Sequence, residues 1–130
     1  MSDVINATVD SETKGLVSDL QTLIRQPSVS ARRVGVLECA NLVAHIMLKS
    51  GINSEVLYLD DLKNDKKDVP PIVYGELKSK ANPNGRTILF YNHYDVQPEE
   101  PLELWKADPF SGKVEGNYIF GRGSSDDKGE

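Results

Sequence analysis

The sequence of 130 residues predicts an α/β fold in which helices pack on a mixed β-sheet. Three observations lead to this prediction. Apolar residues recur at helical spacing within the first fifty residues, as they do in amphipathic helices. Shorter β-prone runs follow, and turn-forming residues separate them. The resulting order, two helices and then several strands, is one that layered α/β domains use.

Two helices are predicted. The first covers residues 11–25, and Pro27 ends it because proline also restricts the backbone of the residue before it. The second runs from about Val36 to about Ser50, since Gly51 stands where a helix C-terminal cap is expected. The two apolar stripes consist of Leu16, Leu20, Leu23 and Ile24, and of Val36, Ala40, Val43 and Met47.

Four strands are predicted, at residues 54–59, 72–77, 87–91 and 118–120. The third run, Thr-Ile-Leu-Phe-Tyr, is almost wholly apolar and β-prone, so a buried central strand is expected there. A charged loop is expected at residues 60–68, and a turn at Asn82-Pro83-Asn84-Gly85. Ligands of open α/β sheets gather beyond the carboxyl ends of strands, so side chains just after a strand are candidates for a site.

Composition narrows the range of functions. The net charge of −5 argues against a nucleic-acid partner, because neutralising phosphates requires a basic surface. Apolar runs are too short to cross a bilayer, and the first residues lack the apolar core of a secretory signal. A single cysteine, Cys39, cannot form an internal disulfide and is expected to be a buried thiol. A single cytoplasmic domain without a membrane partner is therefore predicted.

A first candidate motif follows the third predicted strand, where His93 and Asp95 stand two residues apart. A neutral imidazole is a common ligand of zinc and related metals. Residues two apart in an extended segment point to the same side, so either Asp95 or another carboxylate would orient the His93 ring. The alternative is an ordinary loop histidine beside a turn-forming aspartate.

A second candidate motif is the glycine-rich stretch 121–129, which contains Asp126 and Asp127. A carboxylate can bridge two metal ions in a two-metal hydrolytic site, and glycines let the backbone turn tightly around them. The alternative is a surface turn, because Gly, Ser and Asp are the commonest turn residues. Lys128 is expected to be a solvated charge.

Together the motifs resemble the M20 family of metallopeptidases, which includes carnosine dipeptidases, glutamate carboxypeptidase, aminoacylase and desuccinylases. The resemblance rests on Tyr-Asn-His-Tyr-Asp-Val-Gln-Pro at 91–98, Trp-x-x-Asp-Pro-Phe at 105–110 and Gly-Arg-Gly-Ser-Ser-Asp-Asp-Lys-Gly at 121–129. Residues 23–30 resemble the end of the family's first helix. Among the branches of the family, the residues of Asp-Val-Gln-Pro and Ser-Asp-Asp-Lys-Gly are most similar to those of the dipeptidases.

The resemblance implies a role for each candidate residue. His93 would ligate one metal ion, Asp126 would bridge two, and Asp95 would serve catalysis by orienting His93. The peptide bond between Asp126 and Asp127 would be cis. The cofactor would be two divalent ions, zinc by expectation, with manganese or cobalt as alternatives that the same donors suit. The substrate would be a small peptide, and the reaction the hydrolysis of its amide bond.

The resemblance also implies that residues 1–130 form the N-terminal part of a phosphorylase/hydrolase-like zinc exopeptidase domain. The glutamate base, the remaining ligands, the C-terminal half and the lid or dimerisation domain, through which the full-length form would be a homodimer, are not expected in this chain. The chain alone is therefore expected to be inactive. Two alternatives stay open, a deacylase or desuccinylase acting on N-acyl amino acids, and a truncated product without catalysis.

Overall fold

The computed structural model describes residues 2–59 and 69–130, which combine helices with short strands in an α/β arrangement. The predicted charged loop at 60–68 lies outside these described residues. None of the helices in the described ranges has both the length and the apolar character needed to span a bilayer. The elements are α1 (Ser2–Arg25), α2 (Val36–Lys49), β1 (Asn53–Leu57), β2 (Ile72–Glu76), β3 (Lys113–Glu115) and β4 (Tyr118–Phe120), with 3-10 turns at Ser30–Arg32 and Leu102–Leu104.

Helix α1 begins at Ser2, well before the predicted start at residue 11. The added turns contain neither glycine nor proline, and Asp3 lies in the first turn, where the helix dipole favours a negative charge. Residues 3–16 are all exposed. The predicted helix was too short because the prediction relied on an apolar stripe, and the N-terminal turns of the helix bury few side chains.

Helix α2 and the β1–β2 hairpin form one packed unit. The helix ends at Lys49, close to the predicted end, and Gly51 follows with a left-handed φ of +81°. Strands β1 and β2 are antiparallel, with Asn53 opposite Glu76. The Ser54 hydroxyl donates to the carbonyl oxygen of Ala44 at 2.7 Å, which attaches the hairpin to the helix.

The predicted buried strand at residues 87–91 is not formed. These residues have no regular secondary structure, and the side chains from Ile88 to Tyr91 are between 75% and 90% exposed. The turn before them is present, since the Gly85 amide donates to the Asn82 carbonyl oxygen. Apolar composition indicates how strongly a run would gain from burial, but burial also requires a neighbouring element. In the part of the chain that the structure describes, no strand pairs with this run.

The predicted mixed sheet is likewise not formed by the described residues. They form two separate sheets of two strands, β1–β2 and β3–β4, and both are antiparallel. Within the described ranges, the one parallel pairing is an isolated bridge between Val29 and Val96. Each hairpin therefore pairs within itself, as hairpin strands do when no third strand is beside them.

The small core lies between the last turn of α1, the inner face of α2 and the segment after residue 93. Ile24, at the end of α1, is fully buried, and so is Cys39, as predicted for a structural thiol. The core is completed by Ser28, Val29, Val36, Ala40, Ala44 and Val96. Val96 lies within the first motif, and Gly121 and Gly123 of the second motif approach Ile24 and Val96 so closely that a Cβ atom would overlap them, so the core positions both motifs.

Candidate functional site

The two candidate motifs meet in space, although 33 residues separate His93 from Asp126. The Nε2 atom of His93 lies 3.1 Å from Oδ1 of Asp126. The backbone amide of His93 donates to Oδ2 of Asp127 at 2.8 Å. The peptide bond between the two aspartates is cis, as the resemblance implies. Both carboxylates of the glycine-rich stretch therefore face one histidine.

Asp95 lies on the opposite side of the His93 ring. The Nδ1 atom of His93 is 3.0 Å from the backbone carbonyl oxygen of Asp95 and 3.3 Å from its carboxylate Oδ1. A carbonyl oxygen and an ionised carboxylate both only accept, so both ring nitrogens donate when the ring is charged, and a neutral ring that keeps its proton on Nδ1 directs the Nε2 lone pair toward Asp126. This is the tautomer that a metal ligand coordinating through Nε2 requires.

The electrostatics of the site favour a charged histidine. Burial lowers the pKa of His93, but the hydrogen bond to Asp95 and the contact with the Asp126 carboxylate outweigh it, so the pKa is raised above its ordinary value of 6.5. The charges of Asp95 and Asp127 act in the same direction. Excess negative charge around one imidazole is also what attracts a cation.

Ser30 holds the Asp95 carboxylate, a contact that the sequence did not predict. Its hydroxyl donates to Oδ2 of Asp95, while Oδ1 faces His93. Ser30 begins the 3-10 turn that follows α1. This turn is therefore connected to His93 through two contacts, from Ser30 to Asp95 and from Asp95 to His93. A serine within the stretch Pro-Ser-Val-Ser carries no sequence signal that distinguishes it from a turn residue.

The backbone on both sides of Asp95 is attached to the segment that follows α1. The buried Ser28 hydroxyl donates to the carbonyl oxygen of Tyr94 at 2.7 Å, and the Val96 amide donates to the carbonyl oxygen of Ser28 at 2.9 Å. The Tyr94 hydroxyl donates to the Pro71 carbonyl oxygen at 2.6 Å, and burial raises the pKa of Tyr94 to about 12. These hydrogen bonds attach the backbone beside Asp95 to the buried core.

Trp105, in the stretch between the motifs, contacts both neighbouring segments. Its indole Nε1 donates to the carbonyl oxygen of Glu99 at 2.7 Å, and the Arg122 guanidinium lies over its ring at 5.0 Å. Arg32, in the turn after α1, forms ion pairs with Glu99 and Glu100. These contacts join the beginning of the second motif to the end of the first.

The donors fit a metal site in part. An imidazole nitrogen and a carboxylate oxygen that face each other are suitable ligands for zinc, manganese or cobalt. Within residues 2–59 and 69–130, however, no group of three or more His, Cys, Asp or Glu side chains is arranged to hold an ion. A complete site on this scaffold therefore needs donors beyond His93 and Asp126.

Comparisons with known proteins agree with the motifs. Residues 89–130 match the family model described as peptidase family M20/M25/M40. The chain is 36% identical to a Cys-Gly metallodipeptidase of Schizosaccharomyces pombe, over 98% of the chain and 28% of that protein. It is 33% identical to a succinyl-diaminopimelate desuccinylase of Blochmanniella floridana, over 88% of the chain and 27% of that protein.

A solved structure also matches the described fold. The dipeptidase Dug1p of Saccharomyces cerevisiae aligns with a TM-score of 0.78 and 27% identity, over 93% of this chain and 27% of that one. The chain thus spans about a quarter of the length of the relatives that it matches. Within that quarter the likeness extends over nearly all of the chain.

Proposed function

We propose that this chain belongs to peptidase family M20/M25/M40, whose model its residues 89–130 match, and that it is part of a metal-dependent hydrolase that cleaves the amide bond of small peptides. The observation that carries the proposal is the contact of 3.1 Å between Nε2 of His93 and Oδ1 of Asp126. It joins the two motifs that lie within the matched residues 89–130. The likeness to a Cys-Gly metallodipeptidase favours a dipeptide as substrate.

We propose that His93 ligates one divalent ion and that Asp126 is shared between two. Zinc is the expected metal, and manganese or cobalt suit the same nitrogen and oxygen donors. When bound, such ions polarise the scissile carbonyl and make a water molecule more acidic. The partial fit of the donors supports this assignment, and the raised pKa of His93 indicates the negative surroundings that a cation would occupy.

The chain's own residues would prepare His93 for this role. The Asp95 carbonyl oxygen accepts from Nδ1, which leaves the Nε2 lone pair available on the side of Asp126. Ser30 holds the Asp95 carboxylate against the same ring, and Asp127 accepts from the His93 amide. We therefore assign Asp95 as the residue that orients the ligand, in agreement with the role that the resemblance implies.

We propose that residues 1–130 are the N-terminal part of the catalytic domain, and that the general base and remaining ligands come from elsewhere in a longer protein. The chain spans about a quarter of its relatives, and its described residues bring too few donors together for an ion. In the whole domain the exposed run at 87–91 would lie within the mixed sheet. The exposed apolar side chains of this run support its place in the sheet.

We also propose that the protein is cytoplasmic, because a buried thiol without a disulfide partner is typical of a reducing compartment.

A second candidate is the hydrolysis of an N-succinyl amino acid, which the likeness to a desuccinylase favours. Both reactions cleave an amide bond, so the described site serves either. The full-length protein, assayed with Cys-Gly, other dipeptides and N-succinyl amino acids, separates them. A dipeptidase is expected to have its highest kcat/KM on a dipeptide, and a higher value on the succinyl compound would replace the first proposal with the second.

The metal site is tested in the full-length protein with His93→Ala and Asp126→Ala. Each variant is expected to lose bound metal and at least about a hundredfold in kcat/KM, because each removes a ligand. His45→Ala is the matched control, since His45 is exposed on α2, away from the motifs. Metal content measured by mass spectrometry, together with steady-state kinetics, provides the comparison. Wild-type metal content and turnover in either ligand variant would contradict the assignment.

A further inference from the structure

We infer that Lys128 is a positioning residue, which attaches the stretch carrying Asp126 and Asp127 to the end of α1 and so sets both carboxylates relative to His93. The inference rests on the proposed function, because it concerns the placement of the proposed metal ligand. It corrects the expectation that Lys128 is a solvated charge.

Lys128 binds the C-terminal end of α1. Its Nζ atom donates to the carbonyl oxygens of Leu23 at 2.8 Å and of Gln26 at 2.7 Å. Carbonyls in the last turn of a helix lack intrahelical partners, and the helix dipole makes this end negative. An ammonium group is therefore suited to the position both as a hydrogen-bond donor and as a charge.

The two acceptors are backbone atoms, which makes the attachment rigid. A carboxylate partner would bring its own rotamers, whereas the position of a helix carbonyl is set by the helix itself. The neighbouring residue Ile24 is fully buried in the core, so this turn of α1 is itself immobilised by packing. Burial lowers the pKa of Lys128, while the adjacent Cys39 thiol acts in the opposite direction.

A second contact brings the beginning of the same stretch onto the same turn. A Cβ atom at Gly121 would overlap the Cγ2 methyl of Ile24, so the backbone approaches the helix to a distance that only glycine permits. The stretch 121–129 thus touches the last turn of α1 at Gly121 and again at Lys128. The aspartates lie just before the second of these contacts.

Asp126 depends on this attachment because its own side chain is not packed. That side chain is 83% exposed, so packing does not fix its rotamer, and its reach to His93 depends on where the backbone places it. Asp127, between Asp126 and Lys128, accepts from the His93 amide. Two consecutive residues therefore connect the stretch to different elements, Asp127 to the histidine segment and Lys128 to α1. Releasing Lys128 would remove the attachment that follows the aspartates and leave the contact with the His93 segment and the attachment before them, at Gly121.

The test compares Lys128→Met with Lys78→Met in the full-length protein. Methionine keeps much of the length of lysine but cannot donate, and Lys78 is a matched control because its side chain is 82% exposed. The metal-free readout is amide hydrogen exchange at His93, whose N–H reports on the Asp127 contact. We expect exchange at His93 to rise at least about tenfold in Lys128→Met, with amides inside α2 and the Lys78→Met control unchanged.

The second readout is zinc affinity, which is expected to fall about 10- to 100-fold, as it does when a residue that orients a ligand is lost. If Lys128→Met fails to fold, Lys128→Gln, which keeps an amide NH2 group but is shorter and uncharged, is measured instead with the same expectation. Unchanged exchange at His93, or an equal rise throughout α2, would overturn the inference. Absence of zinc binding by the wild type would instead contradict the proposed function, and the exchange comparison would still decide the inference.

Discussion

At the scale of single residues, the site is a short chain of contacts that runs from Ser30 through Asp95 and His93 to Asp126. Sequence reasoning pointed to the last three, because the two motifs together resemble a metallopeptidase family, whereas each motif alone is equally typical of a loop or a turn. It missed Ser30 and misread Lys128. Serine and lysine are common at surfaces, and what makes them specific here is a partner distant in the sequence, which no local pattern contains.

The charge state of His93 gives a prediction for Asp126→Asn. Removing this carboxylate removes one cause of the raised pKa, so we expect the His93 pKa to move down. A folded-state pKa above the unfolded value gives stability that is fully present below about pH 6.5 and is lost as pH rises through the folded-state pKa. In Asp126→Asn, the extra stability below about pH 6.5 should therefore be smaller than in the wild type.

The measurement is an NMR titration of His93 in the metal-free protein, together with thermal unfolding at several pH values. Glu103→Gln is the control, because Glu103 is an exposed carboxylate outside the site. A His93 pKa that is the same in Asp126→Asn as in the wild type would mean that the contact at 3.1 Å has no electrostatic effect in solution.

At the scale of elements, prediction succeeded where local turn signals mark the ends of a segment and failed where the surroundings of the segment decide. Strand β4 (Tyr118–Phe120) and the end of α1 agree with the sequence, because turn residues and a proline mark them locally. The run at 87–91 has the composition of a buried strand but is exposed. Its state depends on whether another strand lies beside it, and composition carries no information about that.

Two glycine substitutions, one just before α2 and one within α1, are expected to change the free energy of unfolding in opposite directions. Gly35 has a φ of +70°, and a Cβ there would overlap the carbonyl oxygen of Pro27. Gly35→Ala is expected to lower the free energy of unfolding by about 2 kcal/mol or more, because a left-handed residue gains a side chain where there is no room. Gly15→Ala is the control, since Gly15 lies within α1 with no atom within 4 Å of a built Cβ.

The control should raise the free energy of unfolding by about 0.5–1 kcal/mol, because alanine restricts the unfolded chain and favours the helix. Urea denaturation of both variants makes the comparison. Equal effects of the two substitutions would show that the left-handed turn before α2 does not constrain the fold.

At the scale of the whole molecule, the described residues leave one long apolar surface open, the run from Ile88 to Tyr91. Such a run favours association with another strand, and charged residues placed on it oppose that association. In the isolated chain, Leu89→Lys is therefore expected to reduce self-association while changing the free energy of unfolding by no more than about 0.5 kcal/mol. Leu89 is 86% exposed, so little native packing is lost.

The full-length protein should respond differently to the same substitution. If the run lies inside a sheet there, a lysine would be buried without a partner, and the folded protein should be strongly destabilised. Sedimentation of the isolated chain and expression of soluble full-length protein measure the two effects. A Leu89→Lys full-length protein as stable as the wild type would contradict our proposal that residues 87–91 belong to the mixed sheet.

The buried last turn of α1 has a consequence for how the length of this helix can vary. Each residue added to an α-helix rotates what lies beyond it by about 100°. Ile24 is locked in the core, and the carbonyls beside it receive Lys128, so the angular phase of α1 is set from its C-terminal end. An insertion near Gly15 would turn only the exposed N-terminal turns, which contact little. The same insertion after Leu20 would also turn the half-buried residues Val17, Asp19 and Leu20, and it would separate Asp19 from Lys49, while Ile24 and the aspartates would stay in place.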